Sequence, residues 1–122
     1  MRNLLALPEP PTAVFAASDL MAVDAVKAVL EAGLRVPEDV AVVGFDDIQI
    51  ASLLNPSLTT IRQDKVGLGL AAGRALVDQI EDPERTPAAL TLPVELVVRA
   101  SSRGAAAGAG ERDRREVPRT NT

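Results

Sequence analysis

Three pairs of polar residues follow short apolar runs: Ser18-Asp19 after TAVFAA, Asp46-Asp47 after VAVVGF, and Gln63-Asp64 just beyond LTTI. An ionised carboxylate accepts several hydrogen bonds, each worth about 1.5–3 kcal/mol when charge-assisted, so such a set suits a ligand rich in hydroxyl or amine groups. Helix capping, worth about 1 kcal/mol per cap, is the competing explanation. It applies to Ser18 or Asp19, to Asp46-Asp47 ahead of a short turn, and to Asp64 at a helix entrance.

Catalysis is poorly served by these residues. The chain has no cysteine and no histidine, which removes disulfides, thiolate metal sites and the usual general base. No metal and no cofactor is expected. Ser18 lacks a base partner and a G-x-S-x-G context, so a nucleophilic role is not supported. The glycines of VGLGLAAG (Gly67, Gly69 and Gly73) are spaced one residue off the dinucleotide fingerprint and do not directly follow a strand. They read as close-packing positions. Asp46, Asp47 and Lys65 would suit a phosphoryl-accepting site, but their order along the chain is wrong for one, and adjacent residues on an extended segment point to opposite sides.

Charge and hydropathy narrow the partners. With Lys+Arg 13 against Asp+Glu 17, the net charge is −4 and no basic face is concentrated enough to neutralise phosphates. The chain alone is not expected to bind DNA. No apolar run approaches the roughly 20 residues of a membrane span, and Met1-Arg2-Asn3 precedes too short an apolar stretch for a signal peptide. A cytoplasmic location without a membrane partner is expected.

The elements that position the polar pairs follow from periodicity. Residues 12–17 read as a buried strand, and residues 20–32 as a helix in which Leu20, Met21, Val23, Val26, Val29 and Leu30 recur at helical spacing. Gly33 stops that helix and Pro37 keeps it from resuming. Residues 40–45 form a second apolar strand, and both strands read as buried on both faces. An amphipathic turn at 48–54 leads through Asn55-Pro56 to a third strand at 58–61. A second helix is expected over 65–80, weakened by its glycines and dependent on a packing partner, then a half-exposed strand at 94–99. Residues 1–102 thus make one partial domain, and residues 103–122 (RGAAAGAGERDRREVPRTNT) read as a disordered tail. The fold class is α/β: an open, mostly parallel sheet with helices on both faces. Ligands of such sheets sit beyond the carboxyl ends of the strands, where the three polar pairs converge.

The run PPTAVFAASDLMAVDAVKAVLEAGLRVPEDVAVVGFDD, followed by LLNPSLTTIRQD and LPVELVVRASS, resembles the C-terminal third of LacI/GalR-family regulators in order and spacing. The resemblance spans about residues 8–102. It implies the C-terminal lobe of a type I periplasmic-binding-protein-like core, truncated, without the helix-turn-helix headpiece, the hinge helix and most of the first lobe. It further implies lobe crossings near Gln63 and Pro93, with residues 65–92 belonging to the other lobe. Asp46 matches the family's effector-contacting aspartate, Ser18 sits where some members have an effector-binding asparagine, and Gln63 lines the cleft. Asp19 is grouped with them as a candidate contact. A sugar-like effector and a homodimer through Val23, Ala51 and Leu54 are also implied, with operator DNA reached only through the headpiece. Ordinary core packing is the alternative for those three residues. Asp24 stands where the family pattern usually has glycine, and Lys65 where some members have an aromatic residue. The alternative class is the C-terminal lobe of an extracytoplasmic sugar-binding protein, which has the same cleft chemistry; an α/β enzyme fragment is a more distant one.

Overall fold

The computed structural model describes residues 1–86 and 88–103. The elements run α1 (Arg2–Leu5), β1 (Ala13–Phe15), α2 (Asp19–Glu31), β2 (Ala41–Phe45), a 3-10 turn (Gln49–Ser52), β3 (Thr59–Gln63), α3 (Lys65–Glu81), β4 (Val94–Val97) and a closing 3-10 turn (Ala100–Ser102). The sheet order is β1-β2-β3-β4. The pairs β1/β2 and β2/β3 are parallel, and β4 runs antiparallel to β3. The sheet is open and mostly parallel, as the periodicity predicts.

Helix α2 forms because Ala22, Ala25, Val26 and Val29 recur on one face, and all four are buried. Ser18 begins the helix, its Oγ accepting a hydrogen bond from the Met21 backbone N–H at 3.3 Å. Gly33 ends it at φ +75, a left-handed conformation that would strain any side chain. Against this helix lie Val42 and Gly44 of β2, so the core is a compact set of alanines and valines plus Leu58. Four-residue helix α1 has no counterpart in the sequence expectations; it contributes Leu5 to the rim of this core.

The strands are less enclosed than their apolar runs suggest. Phe15 is 63% exposed on the sheet face opposite α2, and Leu96 on β4 is 57% exposed. β1 is an edge strand, and side chains alternate faces along it, so covering one face leaves Phe15 outward. Its ring meets Phe45 edge-on, with centroids 6.5 Å apart.

Helix α3 buries none of its residues: Val66, Leu70, Val77 and Ile80 are all more than half exposed. Its need for a packing partner is therefore not met by the described residues. Asp64 caps it, accepting from the Gly67 N–H at 2.9 Å. Gly67 is the one glycine of the trio in a tight place, because a Cβ there would overlap the Asp64 carboxylate. Gly69 and Gly73 meet open space, contrary to the close-packing expectation, because nothing described covers that side of the helix. The proposed tail falls outside the described residues from 104 onward.

Candidate functional site

Because β1, β2 and β3 are parallel, their carboxyl ends share one edge of the sheet, and the polar pairs gather there. After Phe45 the backbone enters the left-handed region at Asp46 (φ 115) and Asp47 (φ 47), which is costly for residues with a Cβ. Three consecutive N–H groups are held in compensation. Asp46 N–H donates to the Ile61 carbonyl at 2.9 Å, Asp47 N–H to Thr60 Oγ1 at 3.3 Å, and Ile48 N–H to Asp19 Oδ2 at 2.8 Å.

This bend separates the two carboxylates. Asp46 Oδ1 accepts from Gln63 Nε2 at 2.8 Å, joining two of the residues the sequence singles out. Asp46 Oδ2 receives no hydrogen bond from the described residues, and the group is only partly buried. Gln63 is the last residue of β3 and pairs with Val94, the first residue of β4. The chain thus leaves and re-enters the sheet at neighbouring points beside Asp46.

Asp47 turns the other way, into an ion cluster that the sequence gives no local hint of. Its Oδ1 accepts from Arg99 at 2.7 Å and its Oδ2 from Arg62 at 2.7 Å; the Asp47 side chain is 10% exposed and that of Arg99 17%. Arg62 also reaches Glu95 across the β3/β4 pair at 3.1 Å. Burial alone would push the Asp47 carboxyl up, but the hydrogen bonds and charges of Arg99 and Arg62 outweigh it and hold the group below the usual carboxylate range. Arg99 is anchored in turn by a bond to the Leu58 carbonyl at 2.9 Å. Beyond it Ser101 Oγ donates to the Val42 carbonyl at 2.6 Å and accepts from Thr59 N–H at 2.9 Å, tying the chain's LVVRASS segment to β2 and β3. Neither Asp46 nor Asp47 caps the following turn, which starts at Ile48 without a side-chain cap bond.

One expected ligand contact is reassigned, and a second has a structural role. Asp19 is completely buried, with Oδ1 accepting from Thr60 Oγ1 at 2.5 Å and Oδ2 from Ile48 N–H, so it has no surface to offer a ligand. Ser18 is part-exposed and caps α2 as an acceptor, which leaves its hydroxyl proton free; it has no hydrogen bond to Asp46 or Gln63 among the described residues.

Residues 1–102 match the family model for the periplasmic binding protein-like domain. The chain belongs to this family. Among its periplasmic binding protein-like relatives, the HTH-type transcriptional repressor CytR of Escherichia coli K12 is 41% identical over 103 residues, covering 84% of this chain and 30% of the repressor. The ribose operon repressor of the same organism is 44% identical over 102 residues, covering 84% of this chain and 31% of the repressor. This chain therefore spans about a third of the length of such relatives. Among solved structures, the Lac repressor dimer bound to operator and the anti-inducer ONPF superposes with a TM-score of 0.72 at 39% identity, over 83% of this chain and 30% of that one. A LacI family regulator from Enterococcus faecium with bound ribose gives a TM-score of 0.66 at 35% identity, over 82% of this chain and 37% of that one. The resemblance to LacI-type regulators and the α/β class with an open, mostly parallel sheet both hold, but among the described residues only α2 packs on the sheet, so the expected cover of helices on both faces is not met. The relatives are repressors, and no described helix is long and apolar enough to cross a membrane.

One expected interface residue of this periplasmic binding protein-like chain is corrected. Ala51 is fully buried in the core, with its carbonyl taken by Leu58 N–H at 2.8 Å, and cannot touch a partner. The 3-10 turn points Ala51 inward while Ile50 and Leu53, its neighbours in the same turn, are 46% and 75% exposed. Val23 and Leu54 are half-buried and keep some outward surface.

Proposed function

We propose that this chain is the effector-binding part of a LacI/GalR-type transcription regulator, with Asp46 as its principal contact to a sugar-like effector. The observation that carries the reading is the state of the Asp46 carboxylate. Gln63 fixes one oxygen, and the other is left without a described protein donor at the edge where ligands of such sheets bind. An oriented carboxylate with spare acceptor capacity suits paired hydroxyls of a polyol. The ribose-bound neighbour and a CelR–cellobiose complex, with a TM-score of 0.68 at 44% identity, support this class of ligand.

On this reading the protein is not an enzyme, and it works in the cytoplasm. It pairs with a second copy through a surface that includes Val23 and Leu54, and it reaches operator DNA only through a headpiece outside this chain. Residues 1–102 form the partial effector-binding domain, followed by a tail. The net charge of −4 supports the division of labour, since phosphate contacts require a basic surface.

The test is a thermal-shift screen of pentoses, hexoses and disaccharides, including ribose and cellobiose, against the complete regulator, with operator binding followed in parallel. A binding sugar raises Tm in proportion to the logarithm of its concentration over Kd and alters operator affinity. A signal peptide upstream in place of a helix-turn-helix headpiece would instead assign the chain to an extracytoplasmic binding protein.

A further inference from the structure

Asp19 is a fully buried carboxylate that the proposed effector site does not use directly. Polar side chains are seldom taken out of water without hydrogen-bond partners. Here the donors come from two distant parts of the chain. Thr60, on β3, donates its hydroxyl to Oδ1, and Ile48, after β2, donates its backbone N–H to Oδ2. Thr60 also works in the other direction, because its Oγ1 accepts from the Asp47 N–H.

The arrangement has its own slot in the core. At Gly44 a Cβ would overlap Asp19 Oδ1 and press on Leu58 Cδ2 at 3.1 Å and Ala22 Cβ at 3.2 Å. Only a glycine leaves room for the Asp19 carboxylate beneath the end of β2. From that position it reaches, directly or through Thr60, the N–H groups of both residues that follow Asp46. Asp46 and Asp47 hold positive φ, a conformation that an untethered Asp-Asp pair has no reason to keep.

We infer that Asp19 and Thr60 form a buried clamp that sets the backbone at 46–48 and so positions Asp46 to meet the effector. Asp19 is a positioning residue in this scheme; it never touches ligand. The inference rests on the reading of Asp46 as the effector contact, and the two separate by experiment.

Amide hydrogen exchange on the 122-residue chain reads the clamp directly. In Asp19→Ala the Asp47 and Ile48 amides should exchange at least about tenfold faster, since leaving a buried donor without its acceptor corresponds to about one or two decades. Amides of Val29 and Val42 in the core should change far less. Asp19→Asn should restore most of the protection, because its Oδ1 still accepts from Ile48 and its Nδ2 can donate to Thr60 Oγ1. Thr60→Val removes only the hydroxyl, and it provides the measurement if Asp19→Ala does not fold. Unchanged exchange at Asp47 and Ile48 in Thr60→Val, or acceleration spread evenly over α2 and the sheet, would overturn the clamp. In the complete regulator, Asp19→Ala should also weaken binding of the sugar identified in the screen, ribose being the first probe. Asp46→Asn is the control. If it leaves binding unchanged, the effector assignment of Asp46 fails while the exchange result still decides the clamp.

Discussion

Gln63 Nε2 donates to Asp46 Oδ1 at 2.8 Å, and this bond joins the end of β3, where the chain leaves the sheet, to the end of β2, where the candidate contact begins. A change in one strand end is therefore felt at the other. Gln63→Leu keeps the size of the side chain but removes the donor, freeing the Asp46 carboxylate to rotate. Effector affinity of the complete regulator should fall by about three- to tenfold, the equivalent of one modest hydrogen bond. An unchanged Kd in calorimetry would show that Gln63 does not orient Asp46.

Arg99 links the closing segment to Asp47 and to the Leu58 carbonyl. Arg99→Met leaves a largely buried carboxylate with only Arg62 as a partner, and should destabilise the chain by about 2–4 kcal/mol, a little less than the loss of a sole ion partner. Urea unfolding monitored by circular dichroism measures it. A loss below about 0.5 kcal/mol would mean that the pair is no stronger than an exposed one.

The same pair sets a pH dependence. Asp47 is held below the usual carboxylate range in the folded chain, so its stabilising contribution is complete above the unfolded value of about 3.9 and is lost as pH falls through the lower folded value. The urea midpoint should hold steady from neutral pH down to about 5, then drop below about 4. In Arg99→Met the drop should be shallower. Asp39, lowered to about 2 by its side-chain and backbone hydrogen bonds with Arg35, titrates over the same range, but its pair with Arg35 is solvent-screened and is expected to matter little.

Much of the candidate site was legible because its logic is local. An apolar run that stops at polar residues marks the carboxyl end of a strand, which placed Asp46 and Gln63 at one sheet edge; their roles toward an effector came from the family resemblance and remain a proposal. Ser18 and Asp64 stand at helix starts, and both make the cap bonds that the capping alternative called for. The partners of Asp47 were not legible, because Arg62 and Arg99 lie 15 and 52 residues away and only the β3/β4 pairing brings them near. Burial of Asp19 was hidden for the same reason, its Thr60 partner being 41 residues distant. Ala51 was placed at the interface by the family resemblance, and the core-packing alternative holds for it instead, because the 3-10 turn points it inward. The exposed face of the sheet reflects topology: a continuous apolar run predicts burial on both sides, but an edge strand with one helix layer receives only one.

Helix α3 carries a prediction for dynamics. With three glycines in 17 residues and none of them buried, it has little beyond the stability of an isolated helix, which is marginal at this length. In the 122-residue chain its amides should be at least about a hundredfold less protected than those of α2. Replacing Leu70 and Val77 with glutamine should raise the monomer fraction in sedimentation, because they are 60% and 52% exposed apolar groups. Protection of α3 equal to that of α2 in a monomer would contradict the account.

The central claim, that Asp46 meets the effector, is tested most directly by Asp46→Asn in the complete regulator. Asparagine keeps the shape and the acceptor that Gln63 uses, and loses the negative charge. Calorimetric titration with the sugar identified for the wild type should show at least a tenfold rise in Kd, about 1.4 kcal/mol per decade, while operator affinity without effector stays within about twofold. Equal effector affinities for the mutant and wild type would remove Asp46 from the site.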